Sequence, residues 1–260
     1  MSHATFKTAL LATAVASTLA FAPAHAASNS AGQNADTTVV LVHGAFADGS
    51  SWDKVIPLLQ AKGLKVVSVQ NPLTSLADDV AAAQRVIDAQ TGRVVLVGHS
   101  WGGTVITEAG TSDKVKALVY VAAFAPSEGE ATGDLGKDYP TPAGIATLKA
   151  DAAGFLYLPE DSVRLNFAQD LPAATTKLMA ATQGPIQGKA FADKTTVAAW
   201  KNKQNYYIVA GKDRMIDPQL EQAFAKKINA TTTVLQTSHV PMLSQPKQVA
   251  EVILAAAAKR

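Results

Sequence analysis

Residues 94–104 read Val94-Val95-Leu96-Val97-Gly98-His99-Ser100-Trp101-Gly102-Gly103-Thr104: a short apolar run, a G-x-S-x-G pentapeptide, and the opening of a helix. That order of strand, sharp turn and helix raises a serine hydroxyl at the carboxyl end of a buried strand. Glycines flank the serine because the turn is tight, and a Cβ at either place would clash. The backbone N–H of Trp101 then points at whatever the hydroxyl attacks, which supplies one donor for an oxyanion. The competing reading is a Gly/Ser-rich turn without chemistry. The β-run before the pentapeptide and the helix after it weigh against that reading.

Working outward, apolar β-rich runs alternate with helical patterns, as a mostly parallel sheet with crossover helices requires. Strands are predicted at residues 38–43, 64–69, 93–97, 115–122, 206–210 and 231–235, and the near-continuous apolar run at 115–122 marks a strand covered on both faces. Helices are predicted at 51–60, at 75–90 with Ser75 as N-cap, from Trp101 to about Gly110, at 218–229 and at 245–258. The rhythm breaks between Pro126 and about Asn205, where Gly, Pro and Asp gather with the aromatics Tyr139, Phe155, Tyr157, Phe167, Phe191 and Trp200. Helical pieces are expected there at 173–181 and 195–201, and no strand as convincing as the earlier ones. An insertion placed late in a doubly wound sheet, at about 127–205, is expected to be a lid over the carboxyl edge of the strands, where ligands bind in such folds.

The amino terminus reads as a leader rather than as part of the fold. Lys7 is its one Lys, Arg, Asp or Glu, an apolar stretch runs from Ala9 to Phe21, and Ala24-His25-Ala26 matches the small-x-small cleavage pattern. Residues 1–26 are therefore expected to be a secretory signal and residues 27–260 a single domain, exported to the periplasm or beyond. The apolar stretch is too short for a convincing membrane span, and without cysteine there is no site for lipoprotein acylation. Absence of cysteine also excludes thiol nucleophiles and cysteine metal sites. The 23 basic and 21 acidic residues nearly balance, with no basic cluster to suggest nucleic acid or an anionic membrane as partner.

A serine hydroxyl is a poor nucleophile until a base takes its proton, so a histidine is required. Beyond the leader the chain has His43, His99 and His239. His99 directly precedes the serine on its strand and is expected to point away, and His43 is expected to shape the loop His43-Gly44-Ala45. That leaves His239, in Ser238-His239-Val240-Pro241-Met242 just past the last strand, as the base. The base needs an acid to hold its tautomer. Asp213, in Gly211-Lys212-Asp213-Arg214 after the preceding strand, is favoured. Asp217 before Pro218 is accounted for as a helix N-cap. The chain order Ser100, Asp213, His239 is the one used on this kind of sheet. A second oxyanion donor is expected from the loop after the first strand, at the N–H of Ala45 or Phe46.

Together, Val40-Leu41-Val42-His43-Gly44-Ala45-Phe46, the Ser100 pentapeptide, Gly211-Lys212-Asp213 and Ser238-His239-Val240-Pro241-Met242 resemble the α/β-hydrolase superfamily from about Thr37 to the carboxyl terminus. Within it the chain is similar to the branch holding plant methyl esterases, the salicylate-binding esterase and α-hydroxynitrile lyases. The resemblance implies an α/β fold with a mostly parallel doubly wound sheet and a helical lid inserted after the strand following the nucleophile helix. It implies a serine hydrolase of small apolar esters, with no metal or organic cofactor and a small-molecule ester as partner. The lyases of that branch carry a threonine in place of Gly44 and a lysine in place of Val240, so this chain makes the esterase-like choice at both positions. The loop Phe46-Ala47-Asp48-Gly49-Ser50 is longer and more polar than its plant counterpart, which argues against carrying plant substrate preferences over. The pocket is expected to be apolar, lined by Phe46, Trp101, Phe124, Met215, Val240 and Met242, with Phe155 or Leu156 from the lid. A binding protein on the same scaffold, without turnover, and a hydroxynitrile-lyase-type enzyme are the alternatives.

Overall fold

The computed structural model describes residues 1–3 and 36–258. The expected leader beyond its first three residues, with the cleavage site at 24–26, lies outside the described residues. Along the chain, β1 (Thr37–Val42) leads through a 3-10 turn at Gly49–Trp52 and α1 (Ile56–Gln60) to β2 (Lys65–Val69). Then come α2 (Leu76–Asp88), β3 (Arg93–His99), α3 (Trp101–Ala109) and β4 (Val115–Val121). An insertion carries β5 (Lys149–Ala150), β6 (Phe155–Tyr157), a π-helical turn at Val163–Phe167, α4 (Ala173–Thr182) and β7 (Ile186–Gln187). The alternation resumes with β8 (Gln204–Ala210), α5 (Pro218–Lys227), β9 (Thr231–Leu235), α6 (Pro241–Ser244) and α7 (Pro246–Ala258).

The main sheet runs β2-β1-β3-β4-β8-β9 with every adjacent pair parallel. β1 is buried along its whole length, and β3 and β4 nearly so. This explains why they read as apolar runs rather than alternating ones. From β1 the chain steps outward to β2 and then crosses back to β3 on the other side. Right-handed crossovers accordingly put α1 on one face and α2 and α3 on the other. α2 packs on α3, and α7 packs on α1, β4 and β8. The change of direction leaves a crevice between the carboxyl ends of β1 and β3, where doubly wound sheets bind ligands. The register pairs Val42 with Gly98, so the loops at His43-Gly44 and His99-Ser100 leave the sheet side by side.

Three predicted elements change on inspection. The helix expected at 51–60 divides into the 3-10 turn and α1. Pro57, which would lie inside it, has no N–H to donate and its ring collides with the carbonyl four residues back. Asp48 caps the 3-10 turn by accepting from the Ser50 N–H at 2.7 Å. The helical piece expected at 195–201 is only a 3-10 turn at Ala199–Asn202. The insertion is not wholly helical: β5, β6 and β7 form a small antiparallel sheet. Strands of two or three residues are too short to leave a readable alternation.

The insertion is hydrogen-bonded across the loops at the carboxyl edge of the main sheet. Gly184 O accepts from Phe46 N, the Gln187 N–H donates to Leu73 O, and the Gly144 N–H donates to Arg214 O. The Asp193 carboxylate accepts from Leu76 N, and the Asp170 carboxylate accepts from Ser238 N. These five bonds reach the loops after β1, β2, β8 and β9.

Candidate active site

Ser100 stands between β3 and α3 with φ 53° and ψ −121°, a backbone region that costs an L-residue roughly 1–3 kcal/mol. The surroundings hold it there: its N–H donates to Val121 O, and its carbonyl accepts from Gly103 N and Phe124 N. A Cβ on Gly98 would lie 2.4 Å from the Gly102 carbonyl oxygen, and one on Gly44 only 2.7 Å from the Ser100 Cβ. Glycine at both positions is what lets the β1 loop and the helix start close on the serine. The sharp strand-to-helix turn also presents the hydroxyl at the carboxyl edge of the sheet.

His239, on the loop between β9 and α6, places Nε2 2.9 Å from Ser100 Oγ. Its Nδ1 lies 2.5 Å from Asp213 Oδ2. The other oxygen of Asp213 accepts from the N–H groups of Met215 (2.6 Å) and Ile216 (3.0 Å). With a carboxylate able only to accept, the His239 proton sits on Nδ1, leaving Nε2 free to accept from the serine hydroxyl. The His239 ring is wedged edge-on against Phe167 of the insertion, 5.1 Å between centroids. Asp217 plays no part in this chain; its carboxylate accepts from Gln219 N as the cap of α5.

The other two histidines are fixed elsewhere. His43 donates from Nδ1 to Gly44 O and accepts at Nε2 from Asn71 N, while Asn71 Nδ2 returns a bond to His43 O. It organises the β1 loop, and burial lowers its pKa. His99 turns away from the serine side and donates from Nε2 to the His239 carbonyl at 2.8 Å. Burial first, and the neighbouring His239 next, keep its pKa well below the ordinary histidine value. It is a neutral prop for the base loop.

The two candidates for the second oxyanion donor separate. The Phe46 N–H is already donated to Gly184 O at 3.0 Å, and this corrects the expectation that it could serve. Among the described residues, Ala45 N and Trp101 N donate to no protein acceptor, and Trp101 is the first residue of α3, where no intrahelical partner exists. The Trp101 side chain is anchored beneath, with Nε1 donating to Asp79 Oδ2 at 2.7 Å. Asp79 Oδ1 accepts from Leu73 N. Burial raises its pKa to about 6 against the two hydrogen bonds that lower it.

A cavity of about 490 Å³ opens beside this site, walled by Phe46, Phe124, Leu156, Phe191 and Met215 among others. Of the residues expected in the substrate pocket, Phe46, Phe124, Met215 and Leu156 line this cavity. Trp101, Val240, Met242 and Phe155 do not line it. The Trp101 indole is consumed by Asp79, and Val240 and Met242 are buried outside the cavity wall. Phe155 sits on β6 opposite Gln187, and alternation along the strand sends Leu156 to the cavity and its neighbour away from it. Sequence reasoning missed Asp79 and Asp170. Asp170 accepts from Ser238 N and Ser244 Oγ and so pins the loop carrying His239. An isolated aspartate in a loop carries no local signal of a partner 68 residues away.

Over most of its length the chain is similar to known proteins. Methylesterase 1 of Arabidopsis thaliana is 24% identical over 253 residues, covering 85% of this chain and 95% of that protein. The pyrethroid hydrolase of Sphingobium wenxiniae is 25% identical over 258 residues, covering 84% of this chain and 86% of its own. The crystal structure of polyneuridine aldehyde esterase superposes with a TM-score of 0.73 at 20% identity, covering 85% of this chain and 98% of the other. A match over residues 39–252, which takes in the main sheet apart from the first two residues of β1 and the whole candidate site, shows that the chain belongs to the alpha/beta hydrolase family.

Proposed function

We propose that the protein is a carboxylic ester hydrolase working through a Ser100–His239–Asp213 triad and an acyl-enzyme. The observation that carries this reading is the continuous hydrogen-bonded chain from Ser100 Oγ through His239 to Asp213, next to unengaged N–H groups at Trp101 and Ala45. Relatives named as a methylesterase and a pyrethroid hydrolase support it.

In this mechanism His239 Nε2 takes the Ser100 proton as Oγ attacks the ester carbonyl carbon. The carbonyl oxygen becomes an oxyanion held by the N–H groups of Trp101 and Ala45. His239 then delivers the proton to the departing alkoxide, leaving an acyl group on Ser100 and free alcohol. A water molecule repeats the sequence against the acyl-enzyme and releases the carboxylic acid. Asp213 keeps its charge throughout and stabilises the imidazolium. The strained elbow and its locked backbone mean that little has to reorganise when charge develops.

The aromatic and aliphatic part of the cavity wall, with Phe46, Phe124, Leu156, Phe191 and Met215, favours uncharged ester groups. A lyase reading fares poorly in this geometry. Cyanide formed in the pocket needs a fixed cation beside it; Val240 supplies none, and Lys137 on the cavity wall is exposed and already paired with Asp134 at 2.8 Å. Export follows as part of the same proposal, supported by the leader-like pattern at residues 1–26. The test is labelling by a fluorophosphonate probe, with the modified peptide mapped to Ser100, together with a panel of p-nitrophenyl and methyl esters. Labelling and turnover are expected. A protein that binds esters yet neither labels nor turns them over is a binding protein on this fold.

A further inference from the structure

Behind the triad lies a carboxyl group that the mechanism does not use. Glu221, in the first turn of α5, is fully buried. Its Oε2 accepts from the Ala210 N–H at 2.9 Å, at the end of β8. Its Oε1 is buried with no donor to accept from, and Asp213 is tied to the same residue: the Asp213 N–H donates to the Ala210 carbonyl while Glu221 accepts from the Ala210 N–H. Two ionised carboxylates have no proton between them, and one of the four oxygens would then be an unpaired buried acceptor facing a like charge. A single proton on Glu221 resolves both problems at once.

We propose that Glu221 is a positioning residue that keeps its proton and donates it to the Asp213 carboxylate, so that Asp213 is held against His239 by a neutral partner. This rests on the triad reading above. The groups around Glu221 all point the same way. Asp213 faces it from the loop after β8, Asp217 from the start of α5, and the Tyr207 hydroxyl from β8. Tyr207 stays neutral and donates to the Ala123 carbonyl. No cation is among them. Burial, then the Asp213 charge, then the hydrogen bond to Asp213 push the Glu221 pKa well above the usual carboxylate range. Asp213 has room for the bond: its oxygens take Met215 N, Ile216 N and His239 Nδ1, and a carboxylate offers about four lone-pair sites.

The test compares Glu221→Gln, Glu221→Ala and Ser100→Ala with the unaltered enzyme. Glutamine keeps a neutral donor toward Asp213 and an acceptor for Ala210 N; alanine keeps neither. Glu221→Ala is expected to lower kcat roughly ten- to a hundredfold, the worth of one hydrogen bond to a charged group, and Glu221→Gln to restore it. The acid limb of the kcat/KM profile in Glu221→Gln should coincide with that of the unaltered enzyme, because one neutral group replaces another. Infrared difference spectra of the resting proteins, which need no turnover, should show a protonated-carboxyl band lost in Glu221→Gln. An acid limb moved to lower pH in Glu221→Gln, or no such band, means that Glu221 was ionised and overturns the proposal alone. Sustained turnover by Ser100→Ala overturns the triad and this proposal with it.

Discussion

Replacing Asp213 by asparagine tests the acid assignment at a known energetic scale. The carboxylate uses one oxygen for His239 Nδ1 and the other for the two N–H groups of Met215 and Ile216. An asparagine has one acceptor oxygen, so it has to choose. If the oxygen stays with Met215 and Ile216, the amide NH₂ faces His239 Nδ1, which must then accept. The ring proton moves to Nε2 and points at Ser100 Oγ, so the base is in the wrong tautomer. In another serine hydrolase that fault costs about 10⁴ in kcat, or roughly 5 kcal/mol. If the amide flips instead, His239 keeps its tautomer but two buried backbone donors face an NH₂. Each unsatisfied donor costs about 1–3 kcal/mol, so the flip costs about 4 kcal/mol, equivalent to about a thousandfold. The protein takes the cheaper route, and kcat/KM for a p-nitrophenyl ester is expected to fall roughly 10³- to 10⁴-fold. The companion variant Asp217→Ala loses the cap on α5 and a carboxylate at the cavity wall, but no bond to the His239–Asp213 pair. It should give up about 1 kcal/mol of stability in urea unfolding while its kcat/KM stays close to that of the unaltered enzyme. Asp213→Asn retaining more than roughly a tenth of the activity, or Asp217→Ala proving the more damaging change, refutes the assignment.

Ser100→Ala is expected to abolish ester turnover, on the order of a 10⁶-fold loss as for the nucleophile of a comparable hydrolase, while circular dichroism and melting stay native-like; residual activity of a few per cent or so contradicts the mechanism. Asp79 has a pKa raised from 3.8 to about 6, so between those values the folded state holds a proton that the unfolded state has released. Stability from this group is therefore full below pH 3.8 and is lost as pH rises through 6, by about 3 kcal/mol. In urea titrations the stability of Asp79→Asn relative to the unaltered enzyme should accordingly improve by about that amount from pH 4 to pH 7, and a flat difference sinks the reading. Leu156→Trp, which fills part of the cavity, should raise KM for esters of bulky acids far more than for acetates; an equal change for both places the substrate elsewhere. Mandelonitrile and acetone cyanohydrin should release no cyanide above background, since Arg214 is turned to the Leu165 carbonyl, Lys137 on the cavity wall is paired with Asp134 and Val240 is buried; cyanide release at the rate of ester hydrolysis moves the protein to the lyases.

The parts of this protein that were legible in its sequence are those written within a few residues of one another. Apolar runs at β1, β3 and β4 announce strands covered on both faces, Ser75 accepts from Asp78 N as an N-cap pattern leads one to expect, and the pentapeptide around Ser100 carries its own turn geometry. The order Ser100, Asp213, His239 could be inferred because strand ends in a parallel sheet all deliver their loops to one edge. Tertiary structure decided what depends on segments far apart in the chain. Gly184, in the insertion, took the Phe46 N–H and left the Ala45 N–H without a protein acceptor. Trp101 went to Asp79 rather than to the pocket, and Val240 and Met242 were buried where a linear reading placed them in the wall. Glu221 was invisible for the same reason: eight residues past Asp213, on the inner face of a helix, it reads as an ordinary helical glutamate. Side-chain periodicity records which face a residue occupies, whereas hydrogen-bond partners and cavity walls are set by how faces from distant elements meet, and no local pattern encodes that meeting.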